Sequence, residues 1–255
     1  MENLILSIDS RFRNNPTREN ECDFTINVKP IKNVKYIRLS SFEMPNISYV
    51  FESEKGNTKF KITIGNNEHE LVLMDGCYES DILIDRIQEL FDGLNTHYGY
   101  KLKIYLDSIN FLVTISNDTA FTINFTTCSS IYKSFGSMLG FIHNLYTGKN
   151  TYNGNSPLNI VGDQYIYMYL NDIGAVIDQN NNVFFAKIIV RENKGNIIFD
   201  NGSNLLTKEH VFKQLENIDS LKIKLCDPYG KTLNLYNQTF SFTLELKIQQ
   251  TQDVK

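Results

Sequence analysis

The chain has 255 residues, of which 42% are hydrophobic and 21% charged, and its net charge is −4. That balance is ordinary for a globular protein, and the negative charge argues against nucleic-acid binding driven by bulk electrostatics. No run approaches the ~18 apolar residues of a membrane span, and Met1–Leu6 lacks the basic start and apolar length of a signal peptide.

From the N-terminus, Asp9-Ser10-Arg11-Phe12-Arg13-Asn14 leads into Asn15-Pro16. Arginines beside acidic residues read as a solvated turn, or as an arm (residues 1–22) that docks on a neighbour through bidentate pairing. Phe24, Ile26 and Val28 alternate with Thr25 and Asn27 as a half-buried strand does. Val34–Met44 is apolar on both faces in parts, as in a central or bulged strand. Phe60, Ile62 and Ile64 form the next alternating run, and Gly65-Asn66-Asn67 predicts a hairpin turn into Leu71–Leu73.

The period then changes. Leu83, Ile87, Leu90, Phe91 and Leu94 fall on one helical face, which predicts a helix near residues 80–95. Ser80 is its expected N-cap, and Asp81 sits where the helix dipole favours a negative charge. Leu102–Leu106 and Phe111–Ile115 read as a hairpin across Asp107-Ser108, followed by a strand Phe121–Phe125. A short helix or turn over Ser129–Leu139 would stop at Gly140.

Residues 147–162 are rich in Gly, Asn and Ser and are expected to form a long surface loop. Tyr165–Leu170 resumes the strand period with Tyr165, Tyr167 and Tyr169 on one face. That stripe reads as tyrosines at a core edge with wet hydroxyls, or as a subunit contact, where aromatics are enriched, or as a sugar platform. Phe184–Val190 is a candidate core strand, and the Asp/Asn clusters at 178–182 and 200–204 are turns rather than calcium loops, since neither has EF-hand spacing. Leu221–Leu225, Asp227-Pro228-Tyr229-Gly230 and Phe242–Ile248 read as two strands and a hairpin turn. Lys222, Lys224, Glu245 and Lys247 lie on their wet face.

About a dozen strands with one helix point to an all-β jelly-roll sandwich with one inserted helix and extra strands and loops. The expectation is a single domain over residues 23–255. Chemistry is hard to assemble. Cys22, Cys77, Cys128 and Cys226 are widely spaced and form no CxxC pair, so free thiols are preferred over a zinc site. His69, His97, His143 and His210 stand alone, and no nucleophile elbow is present. Gly148-Lys149-Asn150-Thr151 lacks both the upstream glycine and the hydroxyl directly after lysine that a phosphate loop needs.

Taken together, the segments resemble the penton and minor capsid proteins of nucleocytoplasmic large DNA viruses. The pieces are Ser7-Ile8-Asp9-Ser10-Arg11-Phe12-Arg13, Ile31–Leu39, Met44-Pro45-Asn46 with Tyr49, and a helix led by Tyr78. They continue through Leu139-Gly140-Phe141, Phe185–Ile188, Leu221–Leu225 with Asp227 and Tyr229-Gly230, and Ser241–Leu246. The resemblance implies a structural capsid subunit forming homopentamers at icosahedral vertices beside major and minor capsid proteins. It implies no catalysis, metal or cofactor, and assembly in host cytoplasm into the virion. Asp9, Arg11, Arg13, Tyr165, Tyr167 and Tyr169 are the candidate subunit contacts. The alternatives are another minor capsid protein or a glycan-binding attachment module.

Overall fold

A computed structural model describes residues 2–126, 131–174, 176–201 and 209–249. Cys128, part of the 129–139 segment and residues 202–204 of the second turn cluster lie outside them. The chain folds into β1 (Glu2–Asp9), β2 (Asp23–Pro45), β3 (Lys59–Ile64), β4 (Asn67–Val72), α1 (Ser80–Tyr98), β5 (Lys103–Leu106) and β6 (Val113–Asn124). There follow α2 (Phe135–Met138), β7 (Leu145–Asn153), β8 (Tyr165–Leu170), β9 (Val176–Ile177), β10 (Val183–Phe184), β11 (Ala186–Ile189), β12 (Ile197–Asp200), β13 (His210–Cys226) and β14 (Ser241–Ile248). Among the described residues the fold is all-β, with curled antiparallel sheets and one long helix.

The chain divides into two compact units: Tyr49–Gly162 forms one, and Met1–Ser48 with Asp163–Lys255 forms the other. The hydrophobic pattern could not show this division, because both units use the same strand alternation. Each has its own cluster of buried side chains.

In the discontinuous unit the sheet order is β1-β14-β2-β13-β8-β11, with β12 also pairing β2. The axis is β2, which at 23 residues would span roughly 75 Å if straight. It bends instead. The register against β14 skips Ser40 and Lys35, and the register against β13 shifts three times between Val211 and Ser220. Extra residues of this kind kink a strand and deepen its twist, which lets one strand wrap a core. The bulge expected in Val34–Met44 is present, and the two strands read at 24–28 and 34–44 are one. The closing strands are not a hairpin with each other: β2 lies between β13 and β14, and each pairs with it.

The supposed arm is also part of this sheet. β1 pairs with β14 from Glu2↔Ile248 to Asp9↔Ser241. Leu4 and Leu6 pack at the core edge and Ile8 is buried in the core, so a period-2 signal existed but was too short to weigh against the polar turn after it. Phe24, Phe42, Phe240 and Phe242 join in one aromatic group, with Phe240 in contact with the other three.

The Tyr49–Gly162 unit carries a sheet of order β4-β3-β6-β5, with β7 also on β6. The expected β3–β4 and β5–β6 hairpins form, and the two strands read at 111–115 and 121–125 merge into β6 around a register shift between Ser116 and Phe121. Helix α1 buries Leu83, Ile87 and Phe91 and half-buries Leu90 and Leu94, as its spacing predicts. Its N-cap is Glu79 and not Ser80, and no side chain caps it. The 147–162 segment is half strand: β7 was illegible because it is nearly all exposed, with Tyr152 its buried residue.

Candidate functional site

The N-terminal signature is a self-contained turn. Asp9 accepts a hydrogen bond from the Arg11 backbone N–H at 2.9 Å, and its carboxylate is gripped by the Arg11 guanidinium, whose Nε lies 3.0 and 2.9 Å from its two oxygens. That pairing holds the Asp9 carboxyl below the usual carboxylate range. Arg13 donates to three backbone carbonyls, of Ser10 (2.9 Å), Pro16 (2.9 Å) and Glu19 (3.3 Å). Both arginines therefore have partners within the turn, and Phe12 is left 70% exposed at its tip.

Ser10, which sequence reasoning passed over, ties the turn to the sheet. It is fully buried, its N–H donates to the Phe240 carbonyl at 2.9 Å, and its Oγ accepts from the Phe240 N–H at 3.0 Å. Nearby, buried Glu21 accepts the Leu235 N–H at 2.8 Å. A serine inside a run of charged turn residues carries no pattern that marks it as buried.

The tyrosine stripe is real but mostly covered. Ile166, Met168 and Leu170 face the core. On the other face, Phe184 of β10 stacks on Tyr167 with centroids 3.8 Å apart and meets Tyr169 edge-on at 4.8 Å. Tyr167 is 6% exposed, and burial raises the Tyr167 and Tyr169 hydroxyl pKa values. Tyr165 stays half-open, with the Lys187 ammonium 3.9 Å above its ring. The strand read at Phe184–Val190 is divided: Phe184 belongs to β10 and Lys187 to β11. Their contacts with the stripe were not legible because a period of two does not say which strand lies beside β8. The turn joining β9 and β10 is held by Asp178, which accepts N–H groups of Asn180 and Asn182, so its carboxylate serves as turn chemistry.

The outer sheet face is polar, as its alternation predicts. Asp9, Ser241, Glu43 and Phe199 are paired across one row of four strands. In neighbouring rows Arg38 pairs with Glu245, and Lys247 sits 4.6 Å over the Tyr36 ring. Lys222 and Lys224 lie opposite Thr25 and Asp23 on β2. The Asp227 turn forms as expected, Asp227 accepting the Tyr229 and Lys231 N–H groups.

Among the described residues, no group of three His, Cys, Asp or Glu side chains is placed to hold a metal ion. Nor is any described helix long and apolar enough to cross a membrane. Cys22 and Cys226 are fully buried, and desolvation raises both thiols, that of Cys226 to about 11. Thiolate is the reactive form, so both should resist iodoacetamide at pH 8 while exposed Cys77 is alkylated. Peptide mass mapping of the native protein checks this; native labelling of Cys22 would refute the buried placement.

No known protein family matches the sequence, and no curated protein matches it. The chain is similar to the crystal structure of the mavirus penton protein, with a TM-score of 0.52 and 12% identity. The likeness covers 97% of this chain and 99% of that one. At that identity it establishes the fold alone, which is of jelly-roll type and shared with that penton protein.

Proposed function

We propose that this chain is the penton subunit of a large DNA virus, forming homopentamers at the fivefold vertices of the virion after assembly in host cytoplasm. The supporting observation is a penton-like fold along essentially the whole chain, both units included. On this reading the protein is structural and its neighbours are major and minor capsid proteins.

A ring of five needs a heterologous interface, in which two different surfaces of each copy meet. The discontinuous unit offers chemically distinct surfaces for this. Two regions of its outer sheet face differ: that of β8, β11 and β13 carries Tyr165, Lys187, Lys222 and Lys224, and that of β1, β12 and the turn after β1 carries the exposed apolar side chains Ile5, Phe12 and Phe199 among paired charges. Asp9, Arg11 and Arg13 then act by shaping the turn that presents Phe12, and Tyr167 and Tyr169 by supporting the Tyr165–Lys187 surface.

Native mass spectrometry of the purified protein tests the reading. A species of five chain masses is expected, and Phe12→Ser together with Lys187→Glu should reduce it at least tenfold while the monomer stays folded by circular dichroism. A stable dimer or trimer would overturn it.

A further inference from the structure

The sugar platform considered at Tyr165–Tyr169 is closed by Phe184, but another aromatic group stands open in the Tyr49–Gly162 unit. Tyr98 and Tyr100, at the C-terminal end of α1, stack at 5.4 Å with rings 17° apart. His69 and His97 each lie 4.5 Å from the Tyr98 ring. Tyr98 nevertheless remains 47% exposed.

Tyr100 also lines a cleft of about 350 Å³ between α1 and β5. Its floor is fixed by two amides. Asn95 accepts the Leu102 N–H at 2.8 Å and donates to the Leu102 carbonyl at 2.9 Å, and Gln88 accepts the Ile104 N–H at 3.0 Å. These bonds satisfy the backbone of an edge strand and hold the cleft in shape without a ligand.

The remaining lining groups face outward. Asp92 accepts from Gln88 at 2.8 Å and is exposed, so its carboxylate keeps further acceptor capacity. Thr96, Lys101 and Lys103 are exposed donors at the same cleft. Two lysines are opposed by Asp92 and by the carbonyl end of α1, so the local charge nearly cancels. A stacked aromatic rim beside a rigid, near-neutral set of donors and acceptors suits a ligand with apolar C–H faces and many hydroxyls.

We propose that this cleft binds a neutral saccharide, which hydrogen-bonds Asp92 and Lys101 and extends past Tyr100 to pack on the exposed part of the Tyr98 ring beside the cleft. This function is independent of the vertex reading, since it asks nothing of oligomeric state.

The test is ligand-observed saturation-transfer NMR on the full chain with lactose, N-acetyllactosamine, N,N′-diacetylchitobiose and maltotriose, and with 3′-sialyllactose as the charged comparison. At least one neutral sugar should bind at about millimolar concentration, as expected of an open site that buries little of its ligand. Tyr98→Ala should weaken it roughly three- to tenfold, and Asp92→Asn should weaken it too. Tyr105→Ala, an exposed tyrosine of β5 that belongs neither to the cleft lining nor to the Tyr98–Tyr100 pair, should leave it unchanged. Both cleft variants change exposed side chains, and each is checked for native circular dichroism. Absence of binding by all four neutral sugars, binding of 3′-sialyllactose alone, or binding indifferent to both cleft variants would overturn the proposal.

Discussion

Alanine at position 140 is expected to destabilise the Tyr49–Gly162 unit by about 3–5 kcal/mol. Gly140 follows α2 with φ +86°, and a Cβ there would lie 1.9 Å from the Ser156 carbonyl oxygen. The neighbour is backbone and cannot swing aside. It is also held: the Gly140 carbonyl accepts the N–H groups of Asn155 (2.8 Å) and Ser156 (3.1 Å). The Phe141 N–H returns to the Gly136 carbonyl at 2.8 Å, which closes the end of the helix. Gly148→Ala is the matching control. Its φ is +78° but a Cβ there meets nothing within 4 Å, so backbone strain alone applies and the cost should be about 1 kcal/mol. Urea unfolding followed by tyrosine near-UV circular dichroism separates the two; equal losses would show that the close approach to Ser156 does not govern the site.

Phe240→Ala is expected to cost the discontinuous unit about 3–5 kcal/mol. Phe240 is 2% exposed, and its ring centroid lies 5.9 Å from Phe24, 5.7 Å from Phe42 and 6.1 Å from Phe242. Truncation removes the ring common to three contacts, and the bulged strand β2 around it is held by pairing on both sides and cannot collapse to fill the space. Phe240→Leu, which keeps most of the apolar volume, should recover more than half of the loss. The same urea titration measures both, and a loss below about 1 kcal/mol for the alanine variant would show that the cavity is filled by repacking.

Local patterns were legible wherever one face of an element is buried and the other wet. The α1 stripe Leu83–Leu94, the alternation in β3, β6, β8 and β14, and the stop at Gly140 all follow from residue spacing and intrinsic backbone preference. Elements without that contrast were not legible. β7 is exposed on almost every residue, and β9 and β10 are too short to have a period. The N-cap of α1 was misplaced by one residue because Glu79 holds the position without a side-chain bond.

The candidate contacts divide the same way. The polarity of the outer face, with Lys222, Lys224, Glu245 and Lys247, could be read from alternation. That Arg11 and Arg13 would be engaged within their own turn, that Ser10 would be buried under Phe240, and that Phe184 would cover Tyr167 could not. The Ser10–Phe240 and Tyr167–Phe184 contacts join segments tens to hundreds of residues apart, and the arginine contacts, though local, depend on how the turn folds back rather than on its composition.

By itself the sequence determined the all-β class, the long helix α1, most turn positions and the resemblance to capsid vertex proteins, because period and turn chemistry act over a few residues. The tertiary structure alone decided that β2 separates β13 from β14, that the N-terminal segment is a sheet strand, and that the chain forms two units. It also decided which aromatic surface stays open. Strand pairing and ring stacking are set by long-range register, and a period of two leaves the choice of partner strand undetermined.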